Sequence, residues 1–153
     1  MKQIRRYVVG TDESGRSHTQ YDNAAPAGMV IGKTGATGLL WTTQEMPADN
    51  AGAQDRAGGP FYPFPKSNGT IFSYLVLPPE SEIDPQLNPG MHRTKTLDYG
   101  VVLEGQVWFT TEQDAFLMQA GDTIVCRGAR HYWSNRSDQP CVIIFVVVDA
   151  QPL

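Results

Sequence analysis

Turn-forming residues recur so often along this chain that no long regular element fits between them. Fifteen glycines and eleven prolines cut its 153 residues into short pieces. No window of helical length carries a sustained apolar stripe at i, i+3 and i+4. Short runs rich in β-branched and aromatic residues dominate instead. They fall near Arg6–Val9, Met29–Gly32, Gly38–Thr42, Ile71–Leu77, Asp98–Leu103, Gln106–Thr111, Ala115–Gln119, Thr123–Cys126, His131–Ser134 and Val142–Asp149. Pro78-Pro79, Asn88-Pro89-Gly90, Glu104-Gly105, Ala120-Gly121-Asp122 and Ser137-Asp138 separate them. Many short strands with such punctuation predict an all-β sandwich or barrel.

The stretch from Glu45 to Gly69 has another texture, rich in Ala, Gly, Pro, Asp and Asn and without period-2 alternation. It reads as a long loop draped over the barrel, pinned by Phe61, Tyr62 and Phe64. A loop of that length in a small domain points to function, such as a lid. Pro78 to Gly90 is a second irregular segment with room for one short helical turn. With no repeat or linker, the expectation is one domain over 1–153: N-terminal strands in 1–42, the loop at 45–69, and the informative motifs within about 89–150.

Charge narrows the partners. A net charge of −4 with scattered Lys and Arg argues against nucleic acid and anionic membranes. No apolar run approaches the roughly 18 residues that span a bilayer. The basic start, Met1–Val9, is followed by polar residues, so it reads as an opening strand rather than a signal peptide. Cys126 and Cys141 sit inside apolar β-type runs and read as buried thiols in a reducing cytoplasm, with a disulfide between neighbouring strands as the alternative.

Two stretches carry the chemistry. In Met91–Gly100, strand alternation puts His92, Thr94, Thr96 and Asp98 on one face, with Arg93 and Lys95 on the other. Polar groups on an inward barrel face need partners: each other, water, a metal or a ligand. In Gly121–Asn135, the same alternation gathers His131, Trp133 and Asn135, an imidazole beside an aromatic wall. Arg93 is a candidate for a carboxylate substrate, and Tyr74 for an opposite wall. His18 lies in a polar run and reads as a surface residue. No nucleophile elbow, phosphate-cradling loop or dinucleotide fingerprint is present, which argues against acyl transfer, kinase and nicotinamide chemistry.

These two stretches resemble the paired motifs of the cupins. His92, Asp98 and Gly105 keep the spacing of the first motif, and Gly121, Gly128, His131 and Asn135 that of the second. The phrases His-Arg-Thr-x-Thr-x-Asp-Tyr and Arg-Gly-x-x-His-x-Trp-x-Asn resemble a subgroup of small microbial cupins with an incomplete metal motif. Thr94 stands where a second His is usual, Asp98 where Glu is usual, and Arg127 where Pro is usual. The resemblance implies a cupin-type double-stranded β-helix, or jelly-roll, barrel and a homodimer. It also implies a site at His92, Asp98 and His131; the residues themselves add Thr94, Thr96, Trp133, Tyr74 and Arg93 as substrate-binding candidates.

Two imidazoles and a carboxylate form a facial triad suited to one divalent ion, Fe, Mn, Ni or Zn. The same set also serves as a metal-free acid/base pocket, or as a purely structural network. The expected function is that of a small-molecule enzyme, lyase-like, with dehydration, decarboxylation or proton-transfer chemistry. A metal-dependent oxygenase and a non-catalytic ligand-binding barrel are the alternatives.

Overall fold

A computed structural model describes residues 3–151. Eleven strands and one 3-10 turn make up its regular structure. The strands are β1 Arg5–Thr11, β2 Ser17–Ala24, β3 Met29–Ile31, β4 Gly35–Thr43, β5 Thr70–Leu77, β6 Thr96–Glu104, β7 Gln106–Thr110, β8 Ala115–Gln119, β9 Thr123–Arg127, β10 Tyr132–Ser134 and β11 Cys141–Asp149. The turn, Glu80–Glu82, falls in the irregular segment after β5. Met1 and Lys2, the head of the basic opening run, lie outside the described residues.

The barrel is built from a six-stranded sheet ordered β3-β4-β5-β11-β6-β9 and a three-stranded sheet ordered β10-β7-β8. All pairings are antiparallel, and β11 sits between β5 and β6. The fold is a cupin-type double-stranded β-helix.

Alternation divides each central strand between the two faces. On β5, β6 and β11 the inward rows are Leu75, Val102 and Ile143, then Ser73, Gly100 and Phe145, then Ile71, Asp98 and Val147. One end of the interior is an apolar plug of Leu77, Val102, Val107, Phe109, Met118, Cys126, Cys141 and Ile143. Burying such side chains contributes about 1.5–3 kcal/mol each. The opposite end stays open and carries the polar residues. Gly100 is required between them: a Cβ there would lie 2.9 Å from Ile124 and 3.0 Å from the Phe145 ring.

The hairpin of β1 and β2 stands outside the barrel. Strand β2 was not legible in the sequence, because its alternation is polar on both faces and offers no apolar period. His18 on it is exposed, as its polar run implies. The hairpin is tied down by Arg6, whose guanidinium donates to the Leu40 carbonyl at 3.0 Å and pairs with Asp55. Asp55 belongs to the long loop, so the hairpin and the loop share one anchor.

The loop itself contains no strand from 44 to 69. Phe61 packs against Leu39, Ala57 and Ile71, while Tyr62 and Phe64 remain about half exposed. Of the three expected pins, Phe61 is the one that holds. Among the described residues no helix is long and apolar enough to cross a membrane.

Candidate active site

The polar end of the barrel encloses a cavity of about 260 Å3. His92, Thr94, Thr96, Asp98 and His131 line one side, and Trp133, Phe145 and Val147 continue the wall. Phe61, Tyr62, Pro63 and Phe64 of the long loop and Met29 and Ile31 of β3 close the other side. A wider cleft of about 580 Å3 opens beside β1. Its charged groups, Arg6, Arg56 and Asp49, are tied up in ion pairs.

Only part of the face read from Met91–Gly100 is a strand. β6 begins at Thr96, after the Asn88-Pro89-Gly90 turn and an extended stretch. His92 is held instead by an isolated bridge to His131, with backbone bonds of 3.0 and 2.8 Å in the two directions. The imidazole centroids lie 4.6 Å apart.

Each ring is fixed by a backbone carbonyl. His92 Nδ1 lies 2.9 Å from Gly90 O, and His131 Nδ1 lies 2.9 Å from Ala129 O. A carbonyl can only accept, so Nδ1 carries the proton in both rings and Nε2 is the basic nitrogen. His131 is further stacked on Phe109, at 5.3 Å and 15°, and meets the edge of Trp133 at 6.4 Å.

Burial dominates the electrostatics. It pushes the Asp98 carboxyl up, against the opposing pull of the Thr96 hydroxyl and of both imidazoles. It pushes His131 down from its ordinary value, offset in part by the Ala129 carbonyl. The Asp98 Oδ1, Thr94 Oγ1 and Thr96 Oγ1 atoms are buried without a hydrogen-bond partner. The Thr96 hydroxyl therefore lies near Asp98 but outside bonding geometry. Three orphaned polar atoms on one wall are costly unless a ligand satisfies them.

Cys126 was missed as a member of this site. It pairs directly with Asp98 across β6 and β9, and its Sγ lies 3.6 Å from His131 Nδ1. The ligand atoms of Asp98, Cys126 and His131 lie within 4.8 Å of one another, and His92 stands outside that group. The even spacing of Cys126 from Ile124 was the only sequence signal, and it showed burial, not the neighbour. Burial and the nearby Asp98 charge push its thiol up. Burial alone takes Cys141 to about 12. Both cysteines are free and buried.

Two substrate-binding expectations need correction. Tyr74 has the wrong parity on β5: Ser73 and Leu75 face the cavity. Tyr74 points to the outer face, packs with Ala36, Leu40, Val76 and Val142, and donates to Pro26 O at 3.3 Å. Arg93 is exposed and lines a different cavity, because it alternates away from His92 and Thr94. Thr94, Thr96 and Trp133 do line the site. Asn135 serves as a brace: its amide donates to Leu77 O and Gln139 O, and its Oδ1 accepts from Ser137.

Residues 79–147 match the sequence profile of the cupin domain. Phomopsin biosynthesis cluster protein C' of Diaporthe leptostromiformis is 30% identical over 97% of this chain and 79% of its own length. The chain belongs to the cupin superfamily. This cupin is also 27% identical to the cupin-domain-containing oxidoreductase srdB of Neurospora crassa, over 97% of this chain and 74% of that protein. A Cupin 2 conserved barrel domain protein from Salinispora arenicola aligns with a TM-score of 0.44, at 21% identity over 53% of this chain and 64% of that one.

Proposed function

We propose that this cupin is a small-molecule enzyme that moves a proton on a neutral, largely apolar substrate held at the barrel mouth. The carrying observation is the pairing of an Asp98 carboxyl raised by burial with a His131 imidazole lowered by it, in one cavity. Burial moves the acid up and the base down, so the two approach each other in acidity, which suits proton transfer to and from a bound substrate. Among the described residues no Lys or Arg lines the cavity, so none of them would neutralise a carboxylate or phosphate substrate there. Trp133, Phe145, Val147 and the loop aromatics would cover an apolar body, while Thr94 and Thr96 bind a hydroxyl or carbonyl oxygen.

In this reading His131 Nε2 takes a proton from a carbon beside the bound oxygen. Asp98 in its protonated form gives one to a leaving hydroxyl, the requirement of a dehydration. His92, fixed by Gly90, orients the oxygen. The loop residues Phe61 to Phe64 limit water access.

The donor set also fits a divalent metal ion. Both imidazoles have a free Nε2 and a second bond to a backbone carbonyl, and Asp98 has an orphaned oxygen. His131 and Asp98 would hold it with Cys126, whose Sγ belongs to the same group of donors, while His92, the third donor of the facial triad, lies outside that group. When bound, Fe, Mn, Ni or Zn would supply a Lewis acid that polarises the substrate oxygen. The oxidoreductase names of several relatives favour a metal-dependent oxidoreductase as the second reading.

A panel of neutral hydroxy and carbonyl compounds in D2O, followed by proton NMR, tests the first reading. Solvent deuterium should enter, or water be lost from, a substrate with the wild type and not with His131→Asn or Asp98→Asn. Exchange that is unchanged in both variants, or turnover that proceeds only with oxygen uptake, would overturn it. Elemental analysis of untagged protein beside His92→Ala/His131→Ala reports whether the ion is bound.

The outer face of β6 and β9 supports a homodimer as part of this proposal. Tyr99, Val101, Leu103 and Val125 stand exposed there in adjacent positions. Pairing with a second copy would remove that apolar surface from water.

A further inference from the structure

We propose that a second cavity, on the rim outside the barrel, binds a phosphate-type oxyanion through Arg93, Lys95 and Arg127. The cavity measures about 430 Å3 and is bounded by these three side chains, Thr94, Thr96 and the chain near Ala150.

Its charge is anomalous for this molecule. The chain carries a net charge of −4. Arg5, Arg6, Arg16, Arg56 and Arg130 each pair with a carboxylate. Among the described residues Arg93, Lys95 and Arg127 form no ion pair or side-chain hydrogen bond, and no Asp or Glu lines their cavity. Three unpaired cations border one recess, and a bound anion would give them the counter-charge they lack.

The backbone holds them together. Arg93, Lys95 and Leu97 share one parity along the chain, and Leu97 pairs with Arg127 across β6 and β9. The Lys95 carbonyl accepts from Ala150 N–H at 3.3 Å, which fixes the stretch before β6. The recess is therefore a product of strand register rather than of scattered surface lysines.

Two guanidinium forks and an ammonium match a tetrahedral oxyanion, which offers acceptors in several directions. The phosphoryl group is that of free phosphate or of a larger ligand.

Isothermal titration calorimetry at low ionic strength, with inorganic phosphate and with phenyl phosphate, tests the site. The wild type should bind phosphate at one saturable site, with sulfate competing and chloride at matched ionic strength failing to compete. Arg93→Ala/Arg127→Ala should weaken binding by about tenfold or more, Lys95→Ala by several-fold, and Lys95→Arg should restore it. Tighter binding of the ester would assign the phosphoryl group to a larger ligand; equal binding would assign the site to the free ion. All three substituted positions are solvent-facing, and unchanged circular dichroism and Tm show that the variants fold. Absence of saturable binding up to about 10 mM phosphate, or equal affinity in the double variant, would overturn the proposal.

Discussion

His92 and His131 hold each other through their backbones, each accepting the other's N–H, while both imidazoles hand Nδ1 to a neighbouring carbonyl. The position of each ring therefore depends on main-chain geometry rather than on the partner ring. His131→Asn should keep a donor for Ala129 O and fold normally, yet lose the basic Nε2. Turnover should fall by about 100-fold or more, with near-native circular dichroism. A fall in KM-linked binding alone, with kcat kept, would assign His131 to substrate binding instead.

Asp98 is buried with an orphaned oxygen, and burial holds its carboxyl above the ordinary 3.8. A raised folded value means that the stability Asp98 contributes is present at acid pH and lost as pH rises through that value. In chelator-treated protein, Asp98→Asn should therefore raise Tm at pH 7, with the gain shrinking toward pH 4, while abolishing activity. Differential scanning calorimetry at the two pH values measures it. A lower Tm at pH 7 would mean that the charged carboxylate is already well satisfied.

Arg6 has a side chain only 5% exposed, and its partner Asp55 is 23% exposed. Removing the guanidinium by Arg6→Ala should cost about 2–3 kcal/mol, since it strands Asp55 and frees both the hairpin and the loop. The Arg6 bond holds Asp55 below the ordinary 3.8. That contribution is complete above pH about 4 and fades as pH falls through the depressed value. Urea unfolding at pH 7 should show the full difference between wild type and variant, and unfolding near pH 2.5 a smaller one.

Phe64 reaches the site from the loop but is 55% exposed. Phe64→Ala should leave stability within about 0.5 kcal/mol. It should weaken ligand binding several-fold by opening the outer wall of the cavity. Thermal melts and titration of a bound ligand separate the two effects, and unchanged affinity would show that the loop does not enclose the ligand.

Tyr99 is 45% exposed on the outer face of β6 and lies opposite Val125, which is 58% exposed. If a second copy covers this face, Tyr99→Lys should halve the mass measured by light scattering. A wild type that already runs at the mass of one chain would remove the homodimer.

Most of the strand positions were legible because β-branched runs and glycine-proline turns need no distant partner to be recognised. β2 escaped since a hairpin outside the barrel buries neither face of Ser17–Ala24. Within the site, period-2 alternation placed His92, Thr94, Thr96 and Asp98 together even though the strand starts only at Thr96. The same parity separated Arg93 from them. It failed at Tyr74, because a strand buried on both faces carries no sign of which face is inward.

The sequence by itself determined the all-β architecture, the two motif stretches and the chemical types available at the site, since these follow from local spacing. Only the tertiary structure decided which residues meet. The pairing of β6 with β9 set Cys126 against Asp98 and drew Arg127 toward Lys95. The bridge between His92 and His131 joined the two motifs. Such contacts depend on register between strands far apart in the chain, and a one-residue slip would turn every one of those side chains to the opposite face.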